Sequence, residues 1–239
     1  MTDGRVLDDL VEGMIDDLAR RPAPAPPSLS RALEAELGQL APVATRRPLR
    51  QLALLVMISL IYGAGVLAMV AMRRDLHELP MAWLAGVGLA WLAGFVIPVY
   101  LALVPRDGQV LPRWKLAGLS AVIGAAGFIL LGLALHPSGP SSVAELPHQS
   151  MGLGCLQLGV LTSIVPVIVG ALFLRRALPV GSRAIAAALG AGGGSLGGLM
   201  LHLHCHVTDA LHVGLVHGGV VAAAAVLSAW LVPRATDVK

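Results

Sequence analysis

The sequence predicts an all-α protein: a six-transmembrane-helix bundle with a short cytoplasmic N-terminal helical tail. Three observations lead there. The 239 residues are 56% apolar and 13% charged, with a mean hydropathy of +0.78, whereas soluble domains carry about 25% charge and about 45–50% apolar residues. Six stretches of 18 to 24 residues after Pro48 contain no Asp, Glu, Lys or Arg. The basic residues also gather on one side of those stretches. The composition excludes a water-exposed globule, a disordered chain and a collagen-like rod. A net charge of +3 and a pI near 9.3 hint at nucleic acid, but the placement of the charges points to membrane lipid and to no direct nucleic-acid partner.

The tail occupies residues 1–48. It holds eight of the 14 acids and no apolar run long enough for a signal peptide. Leu7, Leu10, Val11, Met14 and Leu18 stand at helical spacing, with Asp8, Asp9, Glu12 and Asp16 opposite them. Pro22 ends this helix, and Pro22 to Pro27 forms a semi-rigid extended spacer. A second helical stretch, from about Ser30 to Leu40, aligns Leu29, Leu33, Leu37 and Leu40. Two helices this short bury too little surface to fold alone, so they need a partner. Anionic headgroups repel the acidic first helix, and a protein groove that accepts an apolar stripe fits better. The competing reading is a tail that is disordered or packed on the chain's own loops.

The transmembrane domain is read as residues 49–232, leaving 233–239 as a cytoplasmic C-terminal tail. Its spans are Leu52–Met72, Met81–Val104, Leu116–Leu135, Met151–Leu174, Ala184–Leu201 and Val213–Val232. At about 1.5 Å per residue each crosses, or nearly crosses, a hydrocarbon layer of about 30 Å, and lipid leaves helix as the way to satisfy the backbone. Six crossings put both termini on one side. With the N-terminus cytoplasmic, all 17 basic residues except Arg73 and Arg74 face the cytoplasm, as the positive-inside rule requires. The outer segments are then Arg73–Pro80, His136–Ser150 and His202–His212.

Span five carries Gly190, Gly194 and Gly198 at spacing four, with Gly193 and Gly197 beside them. Small residues at that spacing let helix backbones approach. Packing inside the bundle is the favoured reading, and a homodimer is the other. Pro98 and Pro166 fall inside spans two and four. His217 is the one ionisable residue in the spans, so an inner-membrane transporter of small solutes or metals, which usually needs charge at membrane depth, is the runner-up reading. No Ser-His-Asp arrangement, Walker loop or dinucleotide fingerprint points to an enzyme.

The outer end collects His202, His204, Cys205, His206, Asp209 and His212, with His217 shortly after. The other cysteine, Cys155, opens span four. Counted from the inner ends of spans four and five, Cys155 and Cys205 stand at about 30 and about 33 Å, so both thiols reach a similar outer depth. Three readings remain open: a redox- or metal-responsive site, a structural disulfide, or unlinked polar loop residues. The candidate metal ligands are Cys155, His204, Cys205, His206 and His217, with Zn or another soft metal as the one cofactor class their chemistry suits. Their spacing matches no standard closed zinc motif.

The acidic short-helix tail, the Pro-rich link, Leu40-Ala-Pro-Val before span one and the six spans resemble the NrsF family of integral-membrane anti-sigma factors, to which CarR-like regulators are functionally similar. The likeness is closest at Cys155, Pro166, Leu174-Arg-Arg-Ala-Leu-Pro, the glycine-rich span five, and Leu203-His-Cys followed by His217. His206 stands where proline often follows the cysteine, and Val216 replaces an aromatic before His217. The resemblance implies a stress-responsive negative regulator of the bacterial inner membrane, which keeps an extracytoplasmic-function (ECF) sigma factor from core polymerase. Leu7, Leu10, Val11, Met14 and Leu18 would dock on the sigma factor, Leu33 and Leu37 would extend the contact, and a signal at Cys155 and Cys205 would release it.

Overall fold

The computed structural model describes residues 13, 47–105, 111–134, 149–175, 182–207 and 209–236. The expected docking residues Leu7, Leu10, Val11, Met14, Leu18, Leu33 and Leu37 lie outside the described residues. Among those described, regular structure is all helical: α1 Pro48–Val70, α2 Met81–Leu103, α3 Arg113–Ala134, α4 Gln149–Leu174, α5 Ser182–His204 and α6 Gly218–Thr236, the last entered through a π-helical turn at His212–His217. Six segments of 22 to 24 residues are long and apolar enough to cross a membrane.

Most of the helices begin a few residues before the spans read from hydropathy, while α1, α2 and α3 end one or two residues short of theirs. Pro48 opens α1, where its missing N–H costs nothing and its fixed φ suits the first helical position. At the other extreme α5 continues three residues past Leu201. His202 Nε2 bonds the Leu84 carbonyl at 3.1 Å and His204 Nδ1 bonds the Ala71 carbonyl at 2.7 Å, so neighbouring helix ends satisfy the two imidazoles that a hydropathy count treats as a stop.

The unit formed by residues 47–239 is built around α5. Its span is 83% buried, against 17–44% for the other five. Glycine makes this central position available. A Cβ on Gly194 would stand 2.7 Å from Val221 Cα of α6, one on Gly193 2.9 Å from the Ser163 carbonyl oxygen of α4, and one on Gly192 2.9 Å from the Phe95 carbonyl oxygen of α2. Gly197 meets the backbone of Gly159, and Gly198 meets the Trp91 ring. The stripe that suggested a homodimer is therefore filled by the chain's own helices, on every side.

Leu55, Phe95, Val99, Leu174, Ile185 and Leu189 are fully enclosed around α5. Trp91 and Phe128 stack with centroids 3.8 Å apart, joining α2 to α3. Large apolar side chains such as Ile61, Met69, Leu89, Val122, Leu130 and Val226 point outward instead. A surface of that kind suits acyl chains rather than water.

The π-helical turn has a geometric consequence. In an α-helix at 3.6 residues per turn, positions five apart point about 140° away from each other, so His212 and His217 would face different neighbours. Wider winding, with hydrogen bonds from i to i+5, brings both inward, and both are buried. The turn fits because α3 comes close: a Cβ on Gly132 would lie 2.7 Å from Gly214 Cα.

Candidate thiol–imidazole site

Cys155 sits early in α4 and Cys205 directly follows α5. Although 50 residues separate them, the Cys155 thiol donates to Cys205 Sγ across 3.7 Å. Cys205 N–H closes the last turn of α5 onto the Leu201 carbonyl at 2.7 Å, which fixes where the thiol emerges. The Cys205 Sγ also lies 3.4 Å from His212 Nε2. His212 is aimed there by its own helix end: Asp209 Oδ1 accepts the His212 N–H at 2.8 Å, an N-cap for the last membrane helix. His217 then packs edge-on to His212, ring centroids 5.1 Å apart.

Cys155 is half-buried, whereas Cys205, His212 and His217 are buried. The S–H of Cys155 and the adjoining imidazoles pull the Cys205 thiol below the usual thiol range, against the opposing effect of burial. The Nδ1 of His212 and the Nε2 of His217 have no hydrogen-bond partner. Enclosed polar atoms without partners are uncommon in folded proteins.

The donor atoms of Cys155, Cys205 and His212 all lie within 4.8 Å of one another. Tetrahedral metal–sulfur bonds of about 2.3 Å give sulfur–sulfur edges of about 3.8 Å, and the observed 3.7 Å matches. Two thiols and an imidazole in this arrangement can hold a soft cation or close to a disulfide.

Of the five ligands anticipated from sequence, the structure brings the donor atoms of Cys155 and Cys205 together and packs His217 against His212 beside them. It turns His204 toward Ala71 and leaves His206 exposed. His212 takes the position beside the thiols, a role that spacing alone did not single out. His202 instead packs on Trp83, ring centroids 4.9 Å apart.

A second feature borders the site and was missed in the sequence. The Arg73 guanidinium is buried and grips Asp75 through two contacts of 2.7 Å. The same guanidinium reaches the His206 carbonyl at 3.4 Å, and the Arg73 N–H bonds the Leu203 carbonyl at 3.0 Å. The α1–α2 loop is thus strapped to the chain on both sides of Cys205. The Arg73 bond holds the Asp75 carboxyl below its usual range. One sequence signal marked Arg73: it breaks the positive-inside pattern, with an acid two residues on.

Fold and site define a class, that of a six-helix multi-pass membrane protein with thiols and imidazoles gathered at one end of the bundle. The NrsF family model, described as negative regulator of sigma F, matches residues 38–236, and the chain belongs to that family. No curated protein and no solved structure matches it. Membership makes the protein a negative regulator of a sigma factor and implies a sigma factor as its partner. The match takes in all six helices and leaves the first 37 residues outside.

Proposed function

We propose that the protein is an inner-membrane anti-sigma factor that sequesters an ECF sigma factor through residues 1–48 and releases it when the outer thiol site reacts. The observation that carries the reading is the 3.7 Å approach of Cys155 and Cys205 with His212 beside them, in a family of negative sigma regulators. The distribution of basic residues supports cytoplasmic termini, which places the tail and the thiols on opposite faces. Leu7, Leu10, Val11, Met14 and Leu18 supply an apolar stripe for a helix-in-groove contact, and Leu33 and Leu37 prolong it. Either oxidation of the two thiols or capture of a soft cation such as Zn by Cys155, Cys205 and His212 changes the packing of α4 against α5. The role is regulatory, and no catalytic step belongs to it.

Deletion of residues 1–45 is expected to abolish repression of a sigma-dependent reporter, and unchanged repression would sink tail docking. The double variant Cys155→Ser and Cys205→Ser is expected to repress but no longer respond to oxidant or heavy metal. A full response in that variant removes the sensor role.

A further inference from the structure

We propose that Arg73 is the positioning residue through which the thiol pair moves α1, and with it the tail. This rests on the sensor reading above and adds the route from one face of the membrane to the other.

The route follows from what Arg73 holds. Its backbone and guanidinium bond the carbonyls of Leu203 and His206, two residues before and one residue after Cys205. Its fork is fixed by Asp75, and bidentate pairing of this kind sets orientation as well as strength. Three residues upstream α1 ends at Val70, and the intervening Ala71 is bonded to His204. Cys205 cannot shift its backbone without pulling on this strap.

α1 is also the helix suited to respond. Only Leu55, Ser59 and Gly63 are buried along it, so few interlocked side chains resist a displacement. Besides the strap it has one polar tie to α4, the Tyr62 hydroxyl donating to the Leu161 carbonyl at 3.4 Å. α1 therefore touches both helices that carry the thiols. Its opposite end, at Pro48, continues directly into the tail.

Oxidation supplies the displacement. A diazene dicarboxamide oxidant (diamide) breaks two S–H bonds and forms one S–S bond. Its N=N group takes up both electrons and both protons and leaves as the hydrazine. The sulfurs must close from 3.7 Å to about 2.05 Å, and the backbone beside Cys205 moves with them.

The test uses the full chain in inside-out membrane vesicles, with diamide as the probe. Three quantities are read: disulfide formation by thiol alkylation, the rate of tryptic cleavage after the exposed Arg50 at the base of α1, and sigma-dependent transcription in cells. In the wild-type chain diamide should change the cleavage rate several-fold and induce the reporter. In Arg73→Ala and in the milder Asp75→Asn, the disulfide should still form and basal repression should hold, while induction falls by about tenfold, within the range of allosteric couplings. Arg73→Lys, which keeps the charge but loses the fork, should resemble Arg73→Ala. Full induction in Asp75→Asn and Arg73→Lys overturns the proposal. So does wild-type release of the sigma factor with no change in cleavage at Arg50, a result that does not depend on any variant folding. A response that survives loss of both cysteines rejects the sensor reading itself, whereas loss of response there with normal Arg73 variants rejects this route alone.

Discussion

His204 Nδ1 and the Ala71 carbonyl oxygen are joined by a 2.7 Å hydrogen bond, and that bond holds Ala71 in a backbone conformation that side chains avoid, φ 67° and ψ 156°. Among the described residues Ala71 is the only non-glycine residue with positive φ. Such a conformation costs on the order of 1–3 kcal/mol and survives where neighbours enforce it.

Replacing Ala71 by Gly should therefore stabilise the bundle by up to about 1 kcal/mol, after the entropy of glycine is subtracted. Ala71→Val should destabilise it by a similar amount or more. Thermal unfolding of the purified protein in detergent checks both. A Gly variant less stable than the Val variant would show that the strap does not impose this backbone.

The close approach at Gly194 makes a second, sharper prediction. Gly194→Ala places a methyl 2.7 Å from Val221 Cα and 2.9 Å from the Val220 carbonyl oxygen, atoms that cannot swing aside. Parting α5 from α6 should cost about 1–3 kcal/mol. Gly65 on α1 has nothing within 4 Å of its Cβ position, so Gly65→Ala should be neutral or stabilise by up to about 1 kcal/mol. Equal changes at the two sites would mean that the contact with α6 does not govern Gly194.

The Arg73–Asp75 clamp has a defined pH window. The hydrogen bond from Arg73 depresses the Asp75 pKa in the folded state, so its contribution is complete above the unfolded carboxylate value of about 3.9. It disappears as the pH falls from there through the folded value. The stability gap between wild type and Asp75→Asn should hold constant from pH 8 to about pH 5 and close only below about pH 4. A gap already lost at pH 6 would contradict the pairing.

The six helices and the common depth of Cys155 and Cys205 could be read from the sequence because lipid acts on each span separately. Twenty apolar residues must form a helix whatever surrounds them, and the rise per residue sets the height of each thiol. Lateral neighbours follow no such local rule. Gly190 to Gly198 favoured an internal seam over a dimer face without naming the neighbours, and only the enclosing α2, α4 and α6 supplied them. The π-helical turn selected His212 in the same way, since it alters the angular spacing that a 3.6-residue period assumes.

The sequence by itself determined six helices long and apolar enough to cross a membrane, an uneven division of basic residues among the segments that join them, and two sulfurs at a common depth along spans four and five. The tertiary structure decided which imidazole meets those sulfurs, and that Arg73 ties the loop after α1 to the backbone around Cys205. The physical reason is the range of the forces. Burial in lipid and helix rise act along the chain, whereas a 3.4 Å imidazole contact or a buried guanidinium pair exists only once separate helices have packed.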